Sequence, residues 1–217
     1  MRINTVIFDL DGTLLNTLGD LHLSFNYALK TCGYKEFSYE EVKNFVGNGI
    51  KKAFERAVND NRNEAAIEKL VEVFKAYYIE HMYELTVPYS GITKMLEKLN
   101  EKKYSMAIVS NKYDKAVKEL CNKYFSKYIK VAIGESNYIR KKPSSDGIIK
   151  ALDELGKSLN DVIYVGDSEV DIQTAKNVNI PCISVLWGFK DKKFLEQNGG
   201  KIFAQNPMDI IKIIEKK

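Results

Sequence analysis

Val6-Ile7-Phe8-Asp9-Leu10-Asp11-Gly12-Thr13 is an apolar run that stops on two acids and a glycine. A buried strand ending in Asp-x-Asp-Gly-Thr sets two carboxylates at the carboxyl end of a sheet, where open α/β folds build their sites. Far downstream, Asp161-Val162-Ile163-Tyr164-Val165 ends in the same way, in Gly166-Asp167-Ser168-Glu169-Val170-Asp171. Acids gathered in one crevice repel each other, so this set asks for a divalent cation. Two more polar pairs, Ser110-Asn111 and Lys142-Pro143, stand at a strand end and ahead of a helix.

Outward from the first motif the pattern is helical. Leu18 to Thr31 is amphipathic and Gly33 marks its stop, while Ser38-Tyr39-Glu40-Glu41 is a capping box that opens a short helix. Residues 50–58 and 64–82 continue in helical period, with Ile67, Leu70, Val71, Phe74 and Tyr78 along one face. No strand pattern appears from 18 to 84. From Pro88 onward strands and helices alternate. Strands read at 104–109, 129–133, 162–165 and 182–186, and helices at 92–102, 113–123, 145–155, 169–177 and 207–215. Short apolar strands in a βαβα series predict an α/β fold with a parallel sheet covered on both faces. Right-handed crossovers then gather Asp9, Ser110 and Asp167 on one sheet edge.

At 217 residues the chain is long enough for one or two domains. Its 45% hydrophobic and 29% charged residues, and a net charge of +4 spread over many helices, fit an ordinary globular protein and show no basic stripe for nucleic acid. Cys32, Cys121 and Cys182 are an odd number at wide spacing, and read as buried apolar residues of a reducing compartment. The opening strand carries an acid at position 9, so it does not read as a signal peptide, and no apolar run is long enough to span a membrane. A cytoplasmic location follows as the expectation.

Taken in order, the four motifs resemble those of the haloacid dehalogenase superfamily, in its phosphatase branch, over nearly the whole chain. The resemblance implies a Rossmann-like parallel-sheet core at 1–16 and 85–217 with an all-helical cap domain inserted at 17–84. It implies Asp9 as nucleophile and Asp11 as general acid and base. A capping role at the strand end would account for Asp9 alone, though not for Asp11 as well. An acid at position 11 also argues for phosphate esters over carbon–halogen bonds, because the dehalogenase branch lacks it. Gly12 and Thr13 shape the turn against the phosphoryl oxygens. Mg²⁺ would be held by Asp9, the backbone carbonyl of Asp11 and Asp167. Asp171, one helical turn further, takes a supporting role such as orienting Lys142.

By the same resemblance Ser110 and the Asn111 amide hold a phosphoryl oxygen, a role that can coexist with Ser110 capping the next helix. Lys142, just before proline, supplies positive charge, with Lys141 as its competitor and Arg140 a surface residue. Gly47-Asn48-Gly49 resembles the cap loop of phosphoglycolate phosphatases and would hold a substrate carboxylate or second phosphate on helix amides. A plain turn accounts for the same three residues. Trp187-Gly188-Phe189 also matches that subfamily, and reads as a turn with aromatic packing. His22 and His81 lack partners at metal spacing. Ser90, Ser145 and Asn179 replace residues usual in the family, without touching a catalytic position.

The expected activity is Mg²⁺-dependent hydrolysis of a small phosphorylated metabolite, 2-phosphoglycolate first. Pyrophosphate, a nucleoside monophosphate, a sugar phosphate and a phosphoglucomutase reaction are the alternatives. A catalytically dead binding module would have lost one of Asp9, Asp11, Lys142 or Asp167, and all are present. A monomer or homodimer is expected.

Overall fold

Thr5–Phe8 forms strand β1, and all four of its residues are buried. An apolar run without polar alternation needs cover on both faces, and the architecture supplies it. The computed structural model describes residues 3–58 and 63–216. In chain order the strands are β1, β2 (Leu15–Asn16), β3 (Val87–Pro88), β4 (Ser105–Tyr113), β5 (Val131–Glu135), β6 (Val162–Gly166), β7 (Cys182–Val185) and β8 (Ile202–Ala204). The helices are α1 (Leu18–Thr31), α2 (Tyr39–Phe45), α3 (Ile50–Val58), α4 (Glu64–His81), α5 (Ile92–Glu101), α6 (Asp114–Phe125), α7 (Asp146–Leu155), α8 (Glu169–Asn177), α9 (Lys192–Gln197) and α10 (Pro207–Glu215).

The chain divides into two compact units, Met1–Leu15 with Pro88–Lys217, and Asn16–Val87. Where it passes between them, β2 and β3 pair as a two-stranded ribbon. The larger unit holds a parallel sheet in the order β5-β4-β1-β6-β7-β8. Ile7, Val109, Ile133, Ile148, Ala151 and Tyr164 belong to one buried cluster that joins the sheet to α7. Among the described residues, no helix is long and apolar enough to cross a membrane.

Among the described residues from 18 to 84 the smaller unit forms helices joined by turns and loops, with no strand. Ser38 and Glu41 close the expected capping box at α2, and Gly33 takes φ +79° just after α1. Phe25 of α1 stacks on Phe54 of α3 with ring centroids 4.3 Å apart. Asp20 is buried, and its carboxylate accepts the Leu85 and Thr86 amides at 2.9 Å each, which ties the return segment to α1.

Several features differ from the sequence expectations: the ribbon strands β2 and β3 are unforeseen, and the strand expected at 129–133 is observed as β5 at Val131–Glu135. The strand expected at 104–109 runs on to Tyr113, so α6 begins at Asp114 with Tyr113 as its cap, and Ser110 does not cap it. Helix α9 and strand β8 are also unforeseen. Six polar-rich residues and a three-residue edge strand are too short to show a period. Asn179 takes φ +56°, the left-handed backbone that asparagine tolerates at a helix end.

Candidate active site

The register of the sheet brings the motifs together. Phe8 is level with Ile108 on β4 and Val165 on β6, so the residues just past β1 emerge between the continuations of both neighbours. Asp9 donates its amide to the Val165 carbonyl at 2.8 Å, which fixes where its side chain starts. One carboxylate oxygen from each of Asp9, Asp167 and Asp171 lies within 4.8 Å of the others, and all three residues are buried.

Gly12 takes φ +79°, and a Cβ there would overlap the Asp167 carboxylate. The glycine is thus required by the approach of an acid remote in sequence as well as by the turn. Thr13 Oγ1 lies 3.5 Å from Asp167 Oδ1, and the Phe189 amide donates to Asp167 Oδ2 at 2.7 Å. Trp187 Nε1 donates to the Thr13 carbonyl at 3.0 Å, and a Cβ at Gly188 would again overlap Asp167. The Trp187-Gly188-Phe189 stretch, read from sequence as packing, therefore holds both Asp167 and the first motif.

Lys142 stands among the acids. Its ammonium donates to Asp171 Oδ1 at 2.6 Å and to the Tyr164 hydroxyl at 3.1 Å, and the hydroxyl donates in turn to the Val109 carbonyl at 2.8 Å. Asp9 Oδ1 faces the same ammonium at 2.8 Å as a charge contact, without a well-directed hydrogen bond from any described group. The backbone of Lys142 is clamped by the Asn111 side chain, which accepts its amide at 2.5 Å and donates to its carbonyl at 3.0 Å. Sequence reading assigns Asn111 only its backbone amide, and the clamp made by its side chain emerges from the structure. Arg140 pairs with Asp146 at the surface, at 2.8 Å.

Asp171 is saturated. Its Oδ2 accepts the Asp167 amide at 3.2 Å, the Ser168 amide at 3.0 Å and the Ser168 hydroxyl at 2.6 Å, while Oδ1 holds Lys142. It is well placed to orient Lys142, and it has little left for a further ligand. The Asp11 carboxylate lies apart from the three clustered acids and is held by Lys112 at 2.9 Å. Sequence reading passed over Lys112, although it directly follows the Ser110-Asn111 pair.

Burial, countered in part by Lys142 and reinforced by Asp171, pushes the Asp9 carboxyl up to about 7. Burial, then Asp171 and Asp9, drives Asp167 well above the ordinary carboxylate range. For Lys142 burial pulls downward, but Asp171 and Asp9 outweigh it and the ammonium ends well above its usual value. Lys142 thus contacts two of the three buried carboxylates, Asp9 and Asp171, and Asp9 keeps an oxygen poor in donors. A divalent cation fits this donor set, because it would supply the missing positive charge to Asp9 and Asp167.

In the helical unit, Gly47 and Gly49 take φ +106° and +81° between α2 and α3. A Cβ at Gly47 meets nothing within 4 Å, so conformation alone asks for glycine there. His22 lies within hydrogen-bond distance of the Phe37 carbonyl and the Asn26 side chain, and His81 of Glu84, which accounts for both rings structurally.

Residues 6–185 match the model of the haloacid dehalogenase-like hydrolases. The chain belongs to that family. It is 30% identical to a phosphoglycolate phosphatase of Aquifex aeolicus, covering 99% of this chain and 97% of the relative. It is 28% identical to the pyrophosphatase PpaX of Listeria innocua, covering 98% and 97%. A crystal structure from Lactobacillus delbrueckii subsp. bulgaricus, whose phosphoglycolate phosphatase name is provisional, superposes with a TM-score of 0.93 at 33% identity, covering 99% of both chains.

Proposed function

We propose that this hydrolase is a Mg²⁺-dependent phosphatase of small phosphomonoesters that works through an aspartyl-phosphate on Asp9. The observation that carries this reading is Asp9 itself, a buried strand-end carboxylate 2.8 Å from the Lys142 ammonium and within reach of Asp167. Asp9 attacks phosphorus as the bond to the leaving oxygen breaks, and Asp11 gives its proton to that oxygen. In the second half Asp11 takes a proton from water while the water oxygen attacks phosphorus. Inorganic phosphate leaves, and Asp9 is again a carboxylate. Lys142 and the Ser110 hydroxyl stabilise the charge on the transferring group, and Asn111 and Asp171 hold Lys142 for that task. Asp9, Asp167 and the Asp11 carbonyl would hold Mg²⁺, which supplies further positive charge to the phosphoryl oxygens.

Activity is expected to vanish when the enzyme is treated with excess chelator and to return with Mg²⁺, while Ca²⁺ restores it poorly because its looser coordination suits in-line attack less well. Full turnover in excess chelator would remove the metal from the mechanism.

2-Phosphoglycolate is the substrate we place first, by likeness to the Aquifex aeolicus relative. The amides around Gly47-Asn48-Gly49 are assigned to its carboxylate. In a kinetic panel it should outrun alkyl phosphates of similar size that lack the carboxylate, in kcat as well as in KM. Bulky substitution at Gly47 or Gly49 should narrow that gap while sparing a generic aryl phosphate. Pyrophosphate is the second reading, favoured by the Listeria innocua relative. A higher kcat/KM for pyrophosphate would displace phosphoglycolate and leave the phosphatase chemistry standing.

A further inference from the structure

Strand β4 is irregular where it carries the second motif. Val109 pairs with Ile133 and Tyr113 with Glu135, so four steps along β4 face two along β5. Extra residues at a sheet rim re-aim the side chains they carry. Gly134 on β5 makes room for them: a Cβ there would lie 2.7 Å from the Lys112 carbonyl oxygen and overlap Asp114 Cα. The Asp114 side chain accepts the Gly134 amide at 2.9 Å and ties the bulge to its neighbour. Three consecutive side chains consequently reach three targets. The Ser110 hydroxyl accepts the Lys112 amide at 3.3 Å, Asn111 clamps the backbone of Lys142, and the Lys112 ammonium lies 2.9 Å from each oxygen of Asp11.

This ion pair is unlike the exposed pairs one helical turn apart, such as Lys98 with Glu101. It joins residues 101 apart in sequence, with side chains only 6% (Lys112) and 18% (Asp11) exposed. A lysine so thoroughly withdrawn from water holds one geometry, and here that geometry is imposed on Asp11. An ammonium astride both oxygens fixes the plane of the carboxylate, and each oxygen keeps a second lone-pair site facing elsewhere.

We propose that Lys112 is a positioning residue for catalysis, which holds the Asp11 carboxylate in the orientation needed for proton transfer at the leaving oxygen. This rests on the acid–base role proposed above for Asp11. Proton transfer works only within hydrogen-bond reach, so a carboxylate free to rotate serves it poorly. In the first half-reaction, read as the rate of phosphoenzyme formation, the role is small with a leaving group that departs as a stable anion and large with one that needs a proton; in the second half-reaction it is the same for every substrate.

The test compares full-length wild type, Asp11→Asn, Lys112→Met, Lys112→Arg and the double variant Asp11→Asn/Lys112→Met, each on p-nitrophenyl phosphate and on a linear alkyl phosphate. In single-turnover measurements Lys112→Met should slow phosphoenzyme formation about 100-fold with the alkyl ester and less than about fivefold with the aryl ester. The double variant should be no slower than Asp11→Asn, because the lysine acts through Asp11. Lys112→Arg keeps the charge on a differently shaped head. It should show the same leaving-group dependence at smaller size, and it serves if Lys112→Met does not fold. Equal losses in phosphoenzyme formation on both esters, a loss confined to KM, or additive losses in the double variant would overturn the positioning role. If Asp11→Asn itself slows phosphoenzyme formation equally with both esters, the general-acid reading of Asp11 fails, a result separable from the behaviour of Lys112.

Discussion

Asp9→Asn is expected to purify as a folded protein whose turnover is reduced roughly 10⁴-fold or more, because the amide cannot form the acyl-phosphate. Activity within about tenfold of wild type would exclude the covalent route. The same substitution has a second readout that is independent of substrate. Burial, eased by Lys142 and worsened by Asp171, raises the Asp9 carboxyl from 3.8 to about 7 in the folded chain. The folded state therefore holds this proton more tightly than the unfolded one. Its stabilising contribution is complete below the ordinary carboxylate range and is lost as the pH rises through about 7. Melting temperatures of the metal-free enzyme should accordingly fall between about pH 4 and pH 7. Asp9→Asn should flatten part of that fall, and Asp167, raised for the same reason, accounts for the rest. Saturating Mg²⁺ should restore the wild-type melting temperature near neutrality by mass action and should do so weakly in the variant. An unchanged pH slope in Asp9→Asn would mean that its charge is not held in the way its burial implies.

What the sequence made legible were the ends of strands. A run such as Thr5–Phe8 interrupted by Asp9 is visible because a buried strand tolerates no acid until it reaches an edge. Asp167 and Lys142 were readable for related reasons, one at the end of an apolar run and the other pinned before a proline. The supporting groups were not readable, since each is set by backbone geometry or by a partner remote in sequence. Tyr164 reads as one more apolar strand residue, yet its hydroxyl links Lys142 to the Val109 carbonyl. Gly134 looks like an ordinary strand interruption, and only the bulge on β4 shows why it carries no side chain. Phe189 contributes a backbone amide to Asp167, and no side-chain pattern announces that. The apolar pattern of β4 ends at 109, because Ser110, Asn111 and Lys112 break it. The structure keeps the strand going through them by bulging.

Lys142→Met is expected to lose both activity and stability. The ammonium is 4% exposed and is the cation shared by Asp9, at 2.8 Å, and Asp171, at 2.6 Å. Breaking a buried pair from one side leaves an uncompensated charge, and the usual cost is about 3–5 kcal/mol. For a chain of this size that corresponds to a fall in melting temperature of roughly 10 °C. Turnover should drop about 10³-fold, since the transferring phosphoryl group loses a fixed positive neighbour. Stability and activity can then be separated by a second substitution. In Lys142→Met/Asp171→Asn one of the stranded charges is gone, and the asparagine oxygen can still accept from Ser168. Part of the lost stability should return, while turnover should not. Acid offers an independent check with the sign fixed by the same logic. Without the lysine Asp9 and Asp167 hold protons still more tightly when folded, so Lys142→Met should regain stability as the pH falls toward 5. A variant that melts like the wild type at neutral pH, or that is destabilised equally at every pH, would show that Lys142 does not hold these acids together.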